Sequence, residues 1–348
     1  MRTEDIYLEI MKKVTSRQEL SCDEIQDLIA FIRDDKLCDV QVAGFLGAFL
    51  TKGYTPKEVA SIAKALRDNC EPLRPQVDED LMDTCGTGGG LSTFNISTAS
   101  AIIASAAGIR VAKSGSRAIT SRSGTADVLE ALGVVIELHP NDAVKMIEEI
   151  GIAFLYGPQY YPLMAKVMPV EKNLKVKTLF YTIIGPLVNP AFARRHLLGV
   201  CKDDMMSVVT LAAKELGFAN MMCVHGLDGL DEISLLGKTR ISHLVDGEIT
   251  TYEIEPEDFG LKRCTLDVIK SGTPKENAEL IRAVFTGSNR GAARDAIVLN
   301  TAGSLIVGGK AANFAEGIAI ASEILDSGAA SRKLLDLSGL SSRLRRVA

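Results

Sequence analysis

The stretch Leu81-Met82-Asp83-Thr84-Cys85-Gly86-Thr87-Gly88-Gly89-Gly90, followed by Leu91-Ser92-Thr93 and then Asn95-Ile96-Ser97-Thr98, decides how the chain is read. Its spacing predicts a strand over 81–84, a loop over 86–90 and a helix over 97–107 closed by Gly108. A glycine-rich turn between strand and helix lets main-chain N–H groups approach an oxyanion, and the helix start adds unpaired donors and partial positive charge. Phosphate or pyrophosphate fits such a turn. The pattern is neither a P-loop, since the lysine is missing, nor a dinucleotide fingerprint, since the third spaced glycine is missing. A tight structural turn would account for it equally well if it stood alone.

Outward from that turn the texture stays α/β. Strands are expected over 109–112 and 134–138, with a helix near 125–132 between them, and again over 197–200 and 221–225. Strand-loop-helix units in series imply parallel pairing, with ligands gathered at the carboxyl ends of the strands. Asp246-Gly247 between alternating runs predicts a hairpin. Upstream, the first 70 residues read as consecutive helices. Capping boxes at Ser21/Glu24 and Thr55-Pro56/Glu58 precede apolar residues at helical spacing, and Thr273-Pro274-Lys275-Glu276 opens a largely helical C-terminal part. Residues 158–195 interrupt the alternation with helical signals and prolines and end in Gly185-Pro186-Leu187-Val188-Asn189-Pro190, which reads as a return to the helical lobe and a hinge. The expected architecture is α/β: a small all-helical lobe of residues 1–75, completed by about 160–195, and a larger lobe of residues 76–348 with a mainly parallel central sheet.

Composition narrows the function. The 348 residues carry 39 basic against 44 acidic side chains, a net charge of −5, which argues against a coat for nucleic acid and favours a small-molecule ligand. Seven cysteines show no metal-ligand spacing and are a poor disulfide framework, as expected in a reducing cytoplasm. The N-terminus lacks the basic and apolar regions of a signal peptide, and no apolar run approaches the length of a membrane span.

Two further constellations suit a phosphorylated ligand. Lys113-Ser114-Gly115-Ser116-Arg117 and Ser121-Arg122-Ser123-Gly124-Thr125-Ala126-Asp127 set three cations and several hydroxyls around glycines between a strand and a helix. His225-Gly226-Leu227-Asp228-Gly229-Leu230-Asp231-Glu232 ends another strand with adjacent carboxylates, plausible magnesium ligands beside a phosphate. A solvated basic loop and an acidic surface turn are the plain alternatives.

The run 83–127, the segment 185–190, the Asp231-Glu232 pair and Leu299-Asn300-Thr301-Ala302 together resemble the anthranilate phosphoribosyltransferase family, in the family's order and over nearly the whole chain. The resemblance implies Mg-dependent transfer of phosphoribose from phosphoribosyl pyrophosphate to an aromatic amine by a homodimer joined through the helical lobe. It implies that Gly86, Thr87, Gly88 and Gly89 cradle pyrophosphate, with Asn95, Ser97 and Thr98 on its far side. It also implies that Lys113 and Ser123 hold the donor, and that Ser97, Asp231 and Glu232 hold magnesium. No residue is assigned a covalent or proton-transfer role. The acceptor half departs from the family: Ser114 and Ser116 stand where it usually has histidine and asparagine, Tyr161 where it has histidine, Glu171 where it has arginine and Tyr181 where it has asparagine. Gly90 takes the place of, or marks the deletion of, the aspartate closing the glycine loop. Transfer to anthranilate, transfer to a neutral or cationic acceptor in its place, a nucleoside phosphorylase working on the same sugar in reverse, and a non-catalytic nucleic-acid-binding paralogue are the readings left open, the transferase pattern being the closer match in the loops.

Overall fold

The computed structural model describes residues 2–118, 122–175 and 178–345; Ser121 and the Tyr181 side chain lie outside what is described. Four helices open the chain: α1 (Thr3–Thr15), α2 (Cys22–Arg33), α3 (Asp39–Lys52) and α4 (Pro56–Asp68). The capping boxes start them as expected. Ser21 Oγ accepts from Glu24 N and Glu24 Oε2 from Ser21 N, and Thr55 and Glu58 repeat the exchange. Glu58 is fully buried, so its carboxylate needs partners; it also accepts from Leu20 N at 2.9 Å and Lys52 Nζ at 2.8 Å.

A seven-stranded sheet follows in the order β3-β2-β1-β4-β5-β6-β7. Its strands are β1 (Met82–Gly86), β2 (Val111–Gly115), β3 (Ile152–Tyr156), β4 (Arg195–Gly199), β5 (Asn220–Gly226), β6 (Thr239–Val245) and β7 (Glu248–Ile254). The first five pair in parallel, and β6 and β7 add an antiparallel hairpin. Its two-residue turn holds Asp246 and Gly247 at positive φ, 47° and 87°, the conformation a primed turn needs. From β1 the chain builds outward first to β2 and β3, then returns to lay β4 on the other side. The reversal leaves a crevice at the carboxyl ends of β1 and β4.

The expected strand over 134–138 is not one. Val134, Ile136 and Leu138 are buried in alternation, so the periodicity is real, but the backbone takes other partners: Val135 N donates to Ser341 Oγ and Gln159 Nε2 to Leu138 O. The place beside β2 goes to Ile152–Tyr156, in register Val111↔Ile152. That run is apolar, is buried over its first four residues and begins after Gly151, which caps the preceding helix in the left-handed conformation. The strand expected over 109–112 lies two residues later.

Helices α5 (Ile96–Ala106), α6 (Thr125–Ala131) and α7 (Pro140–Ile150) follow β1 and β2. After β3 come α8 (Gly157–Tyr160), α9 (Pro162–Leu174), a π-helical turn (Phe180–Ile184) and α10 (Gly185–Leu187). The remainder is α11 (Asp203–Glu215), α12 (Leu266–Ile269), α13 (Pro274–Phe285), α14 (Ala292–Val307), α15 (Phe314–Asp326) and α16 (Ala329–Leu344). The almost wholly buried α14 packs on α5, β4 and β5, and α9 packs on α2 and α3. Backbone bonds tie the connections together where they cross, Glu71 N to Tyr160 O and Leu73 N to Pro190 O, each 2.9 Å. Among the described residues no helix is long and apolar enough to cross a membrane, and all seven cysteines are free.

Candidate active site

The glycine turn lies at the carboxyl end of β1, over β4. Thr87 N donates to Gly199 O, Cys201 N to Thr87 Oγ1, and Gly88 N to Asp231 Oδ2 at 2.7 Å. Gly88 and Gly89 sit at φ 63° and 91°, which excludes β-branched residues. Gly90 is constrained differently: a Cβ there would stand 2.4 Å from Gly229 O. With that carbonyl in the way, position 90 has no room for a side chain.

The turn opens on a cleft of about 850 Å³. Gly86, Thr87, Gly88, Gly89, Asn95, Ser97, Ser114, Ser116, Ser123, Tyr161, Asp231 and Glu232 all line it, so residues up to 146 positions apart meet in one place. A larger cavity of about 1080 Å³ near Val134–Leu138 and Arg345 contains none of the expected site residues.

Three expected residues are not on the cleft wall. Thr98 is buried within α5, its hydroxyl without a partner among the described residues. Lys113 is 2% exposed and reaches from β2 across to Thr84 O at 2.5 Å. Its charge still acts on the site through the strand ends. Glu171 is buried in α9 and accepts from the N–H and hydroxyl of Thr178, so its carboxylate serves the chain's own backbone.

The acidic pair is close to the turn. Burial and the neighbouring Asp231 charge push the Glu232 carboxyl well above the usual carboxylate range, opposed by Lys113 and the Ser97 N–H. Two crowded, half-buried carboxylates are unfavourable without a cation, and oxygen donors beside a phosphate turn suit a hard divalent ion. The donor set therefore fits magnesium, which Asp231 and Glu232 would hold. Among the described residues no cluster of three or more acidic, histidine or cysteine ligands is present, so the substrate's own phosphates and water would complete the shell.

Two positioning residues, Asp83 and Asn277, had no local signal in the sequence. Asp83 is fully buried and accepts from Thr84 N, Ser114 N, Ser114 Oγ and Asn189 Nδ2, joining β1, β2 and the 185–190 segment. Asn277 of α13 donates to Asn95 Oδ1, which also accepts from Ser123 Oγ, so one amide from a distant helix orients two cleft residues. Tyr161 is 6% exposed, its hydroxyl has no partner among the described residues, and burial raises its pKa well above the ordinary phenol value. An unmet buried hydroxyl costs about 1–3 kcal/mol, which a ligand atom would recover.

Comparison with known proteins meets this geometry. Residues 78–331 match the glycosyl transferase family a/b domain and residues 8–70 its helical bundle domain. The chain is 42% identical over 336 residues to the anthranilate phosphoribosyltransferase of Clostridium beijerinckii, covering 96% of this chain and 98% of the relative. The chain belongs to the anthranilate phosphoribosyltransferase family. Among solved anthranilate phosphoribosyltransferases, the Thermus thermophilus enzyme superposes with a TM-score of 0.89 at 37% identity, covering 95% of this chain and 99% of that one. The Saccharomyces cerevisiae enzyme in complex with PRPP and Mg superposes with a TM-score of 0.90 at 29% identity, covering 98% and 99%. The fold expected from the sequence, a helical lobe beside a mainly parallel sheet, is the fold of this family. Against its usual pattern, Ser114 here spends its hydroxyl on Asp83, and the arginine position is the inward-turned Glu171.

Proposed function

We propose that this chain transfers the phosphoribosyl group of phosphoribosyl pyrophosphate to the amine of anthranilate, with magnesium, as a step of tryptophan biosynthesis. The observation that carries the reading is the meeting of the Gly88 amide and the Asp231 carboxylate at 2.7 Å: an anion turn and an acidic cation site share one edge of one cleft. In this reading Gly86, Thr87, Gly88 and Gly89 cradle pyrophosphate, Asn95, Ser97 and Ser123 flank it, and Asp231 and Glu232 face the metal. Lys113 supplies field from beneath, and Thr98 shapes the helix start rather than touching ligand.

The chemistry asks for positioning and charge stabilisation. As the bond from the ribose C1 to pyrophosphate breaks, negative charge gathers on the leaving group and positive charge on the sugar. Magnesium, when bound, offsets the charge of the departing pyrophosphate. The turn's main-chain amides other than Thr87 N and Gly88 N, which are bonded to Gly199 and Asp231, hold the same group in a fixed orientation, and the apolar walls from Met164, Met168, Phe180 and Val188 exclude water from the sugar. The acceptor amine is neutral at pH 7, so no strong base is required before it attacks. Tyr161, Ser114 and Ser116 form the acceptor side.

We further propose residues 1–75 with about 160–195 as one lobe and 76–348 as the other, hinged near Asn189, and a homodimer through the helical lobe, where Leu8 and Val40 are 53% and 79% exposed. The free cysteines suit the cytoplasm. The net charge of −5 and the cation site weigh against a nucleic-acid-binding role. Calorimetry with phosphoribosyl pyrophosphate, with and without magnesium, followed by loss of anthranilate fluorescence on mixing, tests the proposal. Metal-dependent binding and fluorescence loss are expected; no binding of the donor would refute it.

A further inference from the structure

Anthranilate carries a carboxylate beside its amine, and an enclosed carboxylate wants a cation. The position where the family usually has arginine is Glu171, bonded to Thr178 and off the cleft wall. Among the described residues that line the cleft, Arg117 alone has a cationic side chain. It directly follows Ser116 at the start of the β2–α6 loop, three residues after Ser114 at the end of β2, on the acceptor side of the cleft.

Arg117 is held at the cleft's exposed edge by other carboxylates. Its two terminal nitrogens lie 2.6 and 2.9 Å from the Glu130 oxygens, with Asp127 at 3.4 Å and Glu137 at 4.0 Å, and its central carbon is 6.0 Å from the Tyr156 ring centre. The fork is thus already shaped around a carboxylate. The side chains of Arg117 and Glu130 are 43% and 44% exposed, so water screens the pair and a competing carboxylate can displace it. Asp127 is different: it also accepts from Ala118 N and Gly124 N, which commits it to shaping the loop.

We infer that Arg117 is the specificity-determining residue for the acceptor, leaving Glu130 to grip the acceptor's carboxylate in place of the family's arginine. Glu130 is then its resting partner, and binding exchanges one carboxylate for another with no new buried charge left unpaired. The assignment rests on the acceptor reading proposed above.

The test compares anthranilate with 2-aminobenzamide, which keeps the amine and the shape but carries no charge, in the native protein and in R117Q, R117K and E130Q. R117Q is expected to raise the KM for anthranilate on the order of 10- to 100-fold, as for loss of a charged hydrogen-bond pair, and to leave that for the amide unchanged. R117K should restore part of the loss, and E130Q should lower the anthranilate KM by roughly 2- to 5-fold by freeing the guanidinium. The KM for phosphoribosyl pyrophosphate should not move in any of them. Equal changes for acid and amide, or an unchanged anthranilate KM in R117Q, would overturn the assignment. Transfer by the native chain to neither compound would remove the acceptor reading itself, a result visible before any variant is made.

Discussion

A methyl group at position 199 would stand 1.8 Å from the Asp231 carbonyl oxygen, and one at position 86 would stand 2.2 Å from Asp231 Oδ2. Gly86 and Gly199 are paired across β1 and β4, so the acidic segment rests on a patch of sheet with no side chains. Gly199→Ala would force the backbone carrying Asp231 outward, an overpacking that costs about 1–3 kcal/mol. The expected result is a lower melting temperature together with weakened Mg-dependent donor binding in calorimetry; native-like binding would show that the acidic segment does not depend on that contact. Gly86 was legible in the sequence because its glycine-rich neighbours announce a turn. Gly199 was not, since its reason lies 32 positions downstream and exists only once the two segments touch.

Among the elements, α9 shows how a substitution is read differently once its surroundings are known. From the sequence, Glu171 is a charge that repels an acidic acceptor; in the fold, it accepts from the Thr178 N–H and hydroxyl beyond the end of α9. Glu171→Ala leaves those donors without their buried partner. The expected cost is about 1–3 kcal/mol in a denaturant unfolding experiment, with the KM for anthranilate nearly unchanged; a large shift in that KM at constant stability would return Glu171 to the acceptor site. Helix starts were legible at Ser21, Thr55 and Thr273 because a capping box is a contact between residues three apart. The third strand was not: 134–138 and 152–156 are both apolar enough to pair with β2, and the choice went to the run that follows the left-handed turn at Gly151.

Over the whole molecule, buried histidines make folding sensitive to acid. Burial lowers the pKa of His196 from 6.5, with Asp83 opposing and Lys113 assisting, and burial lowers His243 as well. The unfolded chain therefore takes up protons first. The stability these groups contribute is intact above about pH 6.5 and is lost as pH falls from there toward the folded-state values. His196 stacks 6.2 Å from Phe218, so His196→Phe keeps an apolar ring in place while removing the proton site. Urea unfolding midpoints measured over a pH series should fall less steeply toward acid in the variant than in the native protein, the remaining slope including His243. Equal slopes would show that His196 does not carry this acid sensitivity.

By itself, the sequence determined whatever depends on near neighbours: the helix starts, the Asp246-Gly247 hairpin, the alternation of strands and helices, and the glycine turn after β1. It also held the family's motifs in order, which was enough to name the chemistry. Only the tertiary structure decided which apolar run became β3, that Lys113 and Glu171 turn away from the cleft, that Asn277 and Asp83 orient it, and that Arg117 is its lone cation among the described residues. The difference is one of range. Backbone propensity and capping act over three or four residues, whereas burial and partner choice are set by segments that meet only when the chain has folded.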